Sequence, residues 1–233
     1  MTTDDSIQAA APIAIATAHG RLYGTLSLPA QARALVLLAQ CTPAPEICHG
    51  ALRTALHAQA VGTVALDLLT GSEDRFADLP HDVSLLSRRL LDGLARLKQQ
   101  KLLGELPPLP MGLYGSGDCS PVVLRVAALR DDDVSALVCH NGLIDLAGLL
   151  YLRTLAAPLL VLLDDDEPSR ERSNRRALEQ VSSVRELSVL STRIGTSDPE
   201  QRSALPNSRD LAAQLATVAT RWFLQHLSVS SRR

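Results

Sequence analysis

Residues 111–123, Met-Gly-Leu-Tyr-Gly-Ser-Gly-Asp-Cys-Ser-Pro-Val-Val, constrain the fold more than any other stretch of the chain. The pattern predicts a buried strand that turns sharply into a helix. Small residues suit such a junction, because backbone crowds a strained turn from both sides. Here Gly115, Ser116 and Gly117 occupy it. Pro121 fits a first helical turn, where its missing N–H leaves no partner unsatisfied. Asp118 or Ser120 is expected to cap that helix.

The bulk of the chain decides what surrounds this junction. With 233 residues and 46% hydrophobic content, one large α/β domain is expected. Aromatics make up only 3%, so the core has to come from Leu, Val and Ala. A formal charge of -2 gives no global attraction for nucleic acid or an anionic membrane. No apolar run reaches the ~18 residues of a spanning helix. The opening Met-Thr-Thr-Asp-Asp-Ser has neither a basic nor an apolar signal region. The 4 cysteines have no regular spacing. Together these features predict free thiols in a reducing cytoplasm.

In order, residues 1–11 read as a disordered end, 12–227 as the single domain and 228–233 as a flexible tail. Residues 12–18 and 21–28 alternate as strands about a turn at His19-Gly20. Residues 33–39 and 62–68 are continuous apolar runs, as expected of strands buried on both faces. Helices are expected at 46–60 and 82–99, the second with Leu85, Leu86, Leu90, Leu94 and Leu97 along one side. After the central strand at 112–115 a helix runs to about 129. Strands follow at 134–139, 158–163 and 186–190, with helices near 145–150, at 169–180 and at 208–227. Alternation with right-handed crossovers predicts a three-layer α/β/α sandwich. Its sheet is mostly parallel, and the two leading strands form an antiparallel edge.

Several motifs narrow this further. Asp67-Leu68-Leu69-Thr70 precedes Asp82-Val83-x-Leu85-Leu86-x-Arg88-Arg89-Leu90, and Gly112-Leu113-Tyr114-Gly115 leads into the turn. Asp166-Glu167-Pro168 follows a strand, Asn174-Arg175-x-Ala177-Leu178 lies in the next helix, and Trp222-Phe223-x-x-His226-Leu227 closes the chain. In this order they resemble the dienelactone-hydrolase-like family of the α/β-hydrolase fold, over roughly residues 35–227. The resemblance implies ester or lactone hydrolysis by a Ser (or Cys)-His-Asp triad on a Gly-x-Ser-x-Gly nucleophile elbow. Asp166 matches the family's acid. Gly115 takes the first glycine position, Gly117 the nucleophile position and Cys119 the second glycine position. The loop that carries the family's histidine reads Ser191-Thr192-Arg193-Ile194-Gly195-Thr196, and no His lies between His140 and His226. The oxyanion loop reads Gln40-Cys41-Thr42-Pro43, without the glycines that would turn backbone N–H groups toward an oxyanion. Three of four functional elements thus depart from the family, which reads as relaxed selection on catalysis.

A displaced site would draw on Ser116, Cys119, His140 and Asp166, all beyond the carboxyl ends of neighbouring strands, where α/β sheets place ligands. Cys119 near a helix start would be the nucleophile, His140 the base and Asp166 its orienting acid. The plainer alternatives are a buried Cys119 thiol, a locally bonded Ser116, a strand-end His140 and an Asp166 in a solvated acidic turn. Asp118 as a nucleophile and a metal site from Cys41, Cys48, His49, Cys119 and His140 fit known spacings poorly. No cofactor is expected. Three functions follow: a non-catalytic binding protein for a small acyl- or lactone-like ligand or a partner, an active hydrolase with a displaced site, or a subunit beside an intact hydrolase. The partner expected is a second copy of the chain, in a homo-oligomer, or a hydrolase.

Overall fold

The computed structural model describes residues 10–17, 20–41, 46–70, 73, 76, 78–165, 167–191 and 208–227. Residues 1–9 of the end expected at 1–11, the tail at 228–233, the turn at His19 and the loop carrying Thr192–Thr196 lie outside them, whereas Ala11 of that expected end already belongs to the first strand.

Eight strands form one sheet, in the order β1-β2-β4-β3-β5-β6-β7-β8. They are β1 (Ala11–Thr17), β2 (Gly20–Ser27), β3 (Ala34–Gln40), β4 (Val61–Asp67), β5 (Met111–Ser116), β6 (Ala136–His140), β7 (Leu159–Asp164) and β8 (Arg185–Leu190). The β1–β2 and β2–β4 pairs are antiparallel, and every pair from β4 to β8 is parallel. The helices are α1 (Glu46–His57), α2 (Val83–Leu102), α3 (Cys119–Leu129), α4 (Leu149–Thr154), α5 (Pro168–Leu178) and α6 (Ser208–His226). The expected elements are all present, with ends shifted by a few residues, as fraying ends usually are. The short helix foreseen near 145–150 is a 3₁₀ turn at Ile144–Ala147 followed by α4.

Side-chain alternation divides the core into two layers. On β3, Leu35, Leu37 and Ala39 pack under the α2–α3 side, while Ala34, Val36 and Leu38 face α1 and α6. The same alternation runs through β6 and β7. Both faces are covered, so the central strands need no polar residue until their carboxyl ends. Phe223 of α6 seats its ring over Gly112, where a Cβ would lie 2.6 Å from the ring edge. Asp82 caps α2, accepting from the backbone N–H groups of Ser84 and Leu85.

Candidate functional site

The site lies where β5 hands over to α3. Gly117 adopts φ +54°, a left-handed conformation that glycine tolerates and other residues resist. Its N–H donates to the carbonyl of His140 at 2.8 Å, and its own carbonyl accepts from Ser120 N–H at 3.0 Å. A Cβ built on Gly117 would meet nothing within 4 Å. The turn therefore presents its apex to open space, as an elbow does for a nucleophile, and at that apex this chain has no side chain.

The crowding on either side is as tight as the sequence suggested. A Cβ on Gly115 would lie 2.6 Å from the carbonyl oxygen of Cys119. A Cβ on Gly142, in the loop after β6, would lie 2.2 Å from the carbonyl oxygen of Gly117 and 2.4 Å from the Ser120 side chain. Gly142 to alanine forces one of two backbones to move, so a loss of about 1–3 kcal/mol is expected in urea unfolding. A midpoint equal to that of the parent chain would show that the loop yields freely. Buried Asn174 of α5 holds this loop in place. Its Nδ2 donates to the carbonyl of Gly142, and its Oδ1 accepts from Ile144 N–H.

Ser120 is buried, and its hydroxyl donates to the carbonyls of Gly115 and His140, both at 3.2 Å. Asp118 holds the N-cap position, yet it makes no cap hydrogen bond there. Its carboxylate instead lies 3.2 Å from Nδ1 of His81, which ends the 3₁₀ turn Leu79–His81. The expected cap is thus replaced by an exposed contact between Asp118 and His81. His81 was not among the sequence candidates, because the family pattern directs the search to the loop after the last strand.

Cys119 opens α3 and is bonded to Cys41, the residue that follows β3. The expectation of free thiols is corrected here for this pair. The two cysteines lie 78 residues apart in the chain, and nothing in their spacing signals that the end of β3 and the start of α3 meet. While the bond is closed, Cys119 carries no thiolate. Cys139 is a free thiol, fully buried on β6, where burial pushes its pKa upward.

Ser116 and His140 are register partners at the ends of β5 and β6. His140 is buried, and its Nε2 lies 3.3 Å from Oδ1 of Asp164 at the end of β7. Its Nδ1 lies 3.3 Å from the Tyr114 hydroxyl. In the tautomer that carries its proton on Nε2, His140 donates to the Asp164 carboxylate and accepts from the Tyr114 hydroxyl, so both ring nitrogens have protein partners. Asp166, the acid expected from the resemblance, lies outside the described residues. The carboxylate seen with His140 is Asp164, two residues earlier. Asn141 fixes it: in a left-handed conformation at φ +52°, it donates from Nδ2 to Asp164 Oδ2 at 2.5 Å and accepts from Asp164 N–H at 2.8 Å. Burial raises the Asp164 pKa, but the hydrogen bonds from His140 and Asn141 outweigh it and hold the carboxyl below its ordinary value.

The network extends to α1. His49 stands edge-on to Tyr114 with ring centroids 5.6 Å apart. Its Nδ1 accepts from Gln40 Nε2 at 2.7 Å, so its proton sits on Nε2. Burial, with the charges of His140 and Arg53, pushes its pKa down to about 4. Tyr114, His49 and Asp164 carry no sequence signal as a cluster, since each comes from a different element. Among the described residues no group of three or more His, Cys, Asp or Glu side chains could hold a metal ion.

With this geometry in view, similar proteins can be compared. A dienelactone hydrolase from Anabaena variabilis superposes with a TM-score of 0.80 at 24% identity, over 94% of this chain and 98% of that one. A cold-adapted esterase from an Arctic intertidal metagenomic library gives 0.68 at 15% identity, over 97% and 99%. The chain has the α/β-hydrolase fold. An α/β serine hydrolase homologue from Coxiella burnetii agrees, with a TM-score of 0.65 at 16% identity over 95% and 97%. No protein-family model matches the chain. Two curated sequences, from two strains of Mycobacterium tuberculosis, are 27% identical over 227 residues and carry the provisional name phosphoribosyl transferase. The match takes in 96% of this chain and 47% of theirs, so the chain spans about half the length of those relatives. No helix among the described residues is long and apolar enough to cross a membrane.

Proposed function

We propose that this chain is a binding module built on the α/β-hydrolase fold, without the hydrolase chemistry. One observation carries the reading: the elbow keeps its backbone and its open apex, and the apex residue is Gly117. A triad that loses its nucleophile retains only weak residual rate enhancement. The sequence offers no histidine between His140 and His226 to act from the usual loop. His140, the base of the displaced arrangement, directs both ring nitrogens at Tyr114 and Asp164. A small acyl- or lactone-like molecule is the ligand class that suits a cleft of this ancestry.

The test is intact mass after a fluorophosphonate probe, together with turnover of p-nitrophenyl acetate and dihydrocoumarin. No adduct, and rates equal to those of heat-inactivated protein, are expected. An adduct on Ser116, or turnover abolished by His140→Gln, would establish a displaced active site instead.

A second reading rests on the length of the mycobacterial relatives, which hold about as much chain again beyond the matched part. In this reading the module works beside another unit, as the matched part does in those longer relatives. Mixing the chain with the separately expressed other half of such a relative tests it. A complex seen by light scattering at micromolar concentration supports the pairing, and two independent species count against it. A second copy or an intact hydrolase as partner would appear in the same measurement as a different mass.

A further inference from the structure

Two of the chain's departures from the hydrolase pattern are the two ends of one bond. Cys41 lies in the segment that would supply one oxyanion N–H, and Cys119 stands two residues past the apex, beside the residue that would supply the other. Their Cα atoms are 6.0 Å apart, within the span a disulfide bridges. Both residues are buried, Cys41 at 5% exposure and Cys119 at 1%. We propose that Cys41–Cys119 is a permanent covalent lock across the former oxyanion site, shielded from small thiols once the protein is folded.

The surroundings support a lock over an exchangeable switch. Reduction begins with a thiolate approaching a disulfide sulfur, and neither cysteine is open to solvent. The Cys119 carbonyl packs against Gly115, where a Cβ would lie 2.6 Å from it, so the start of α3 sits close on β5. Cys139 on the adjoining strand does not serve as an internal attacking thiol, since burial keeps it protonated. The bond must therefore form before or during closure of the core. The Cys41 and Cys119 thiols give up two protons and two electrons to a small disulfide, R–S–S–R. One cysteine thiolate attacks it and expels RS⁻; the second attacks the mixed disulfide and expels another. One S–S bond breaks, one forms, and two R–SH leave. This chemistry calls for an oxidising stage in the chain's maturation, contrary to the free thiols expected at first. The lock is independent of the binding-module reading, because an active chain could carry the same bond.

The experiment counts thiols in the whole chain after refolding against oxidised glutathione. Denatured and alkylated without reductant, the protein should take two adducts out of its 4 cysteines, and all four after reduction. Peptide mapping should join Cys41 to Cys119. Four adducts without reduction would overturn the proposal. Folded protein held in millimolar reduced glutathione before alkylation should still take two; four would make the pair a switch and overturn the lock. The double variant Cys41→Ser, Cys119→Ser should melt about 10 °C lower than the oxidised parent and be indifferent to reductant. An unchanged melting temperature would overturn the lock. If the double variant does not fold, the adduct counts on the parent decide the matter.

Discussion

Replacing Arg89 by methionine should cost about 3–5 kcal/mol of unfolding free energy, read from urea midpoints at neutral pH. Arg89 sits in the middle of α2 with its side chain 2% exposed. Its Nη1 donates to the carbonyl of Leu68 at 2.8 Å and to Glu73 Oε2 at 2.8 Å, and Nη2 donates to Glu73 Oε1 at 2.7 Å. Glu73 also accepts from Thr70 N–H at 2.9 Å. The guanidinium thus ties the segment after β4 to the helix that follows it, in the two-pronged geometry that only arginine offers. Methionine would fill much of the volume yet leave the Leu68 carbonyl and a partly covered carboxylate without their donor. Lysine, a single-point donor, should recover only part of the loss. A cost below about 1 kcal/mol would mean that the pair is screened as surface pairs are. The hydrogen bond from Arg89 leads the causes that hold the Glu73 pKa down to about 2. A depressed carboxylate stabilises the fold above its unfolded pKa of 4.5, and that contribution is lost as pH falls from there toward 2.

Acid should weaken the fold earlier, through His49. A histidine at about 4 when folded and 6.5 when unfolded binds fewer protons in the native state between those values. Stability is then complete above pH 6.5 and falls as pH drops toward 4, by on the order of 3 kcal/mol. Burial lowers the pKa of His57 and His226 as well, so their contributions have the same sign. Urea midpoints at pH 7 and pH 5 check this. The parent should lose stability between them, and His49→Gln should lose clearly less, while the Glu73 stage below pH 4.5 persists in both. A parent midpoint that does not move between pH 7 and pH 5 would place His49 in contact with water.

Much of the architecture is legible without coordinates. The continuous apolar runs at β3 and β4 announce strands buried on both faces, and leucines at helical spacing announce α2. Both signals are periodicities within a few residues, which is why boundaries shift only slightly. The order of strands across the sheet is not local. The sequence does not say that β4 lies between β2 and β3, because pairing follows from crossover packing.

The candidate site divides the same way. The sequence alone determined that glycine occupies the elbow apex and that no histidine lies between His140 and His226. These are facts of residue identity in a turn whose frame is local. Tertiary structure decided which groups meet. It bonded Cys41 to Cys119, gave His140 to Asp164 and Tyr114, set His49 against Tyr114, and brought His81 to Asp118. Each of these contacts joins different elements. Sheet register and the packing of helices onto the sheet create them, and neither leaves a mark within a short window of sequence.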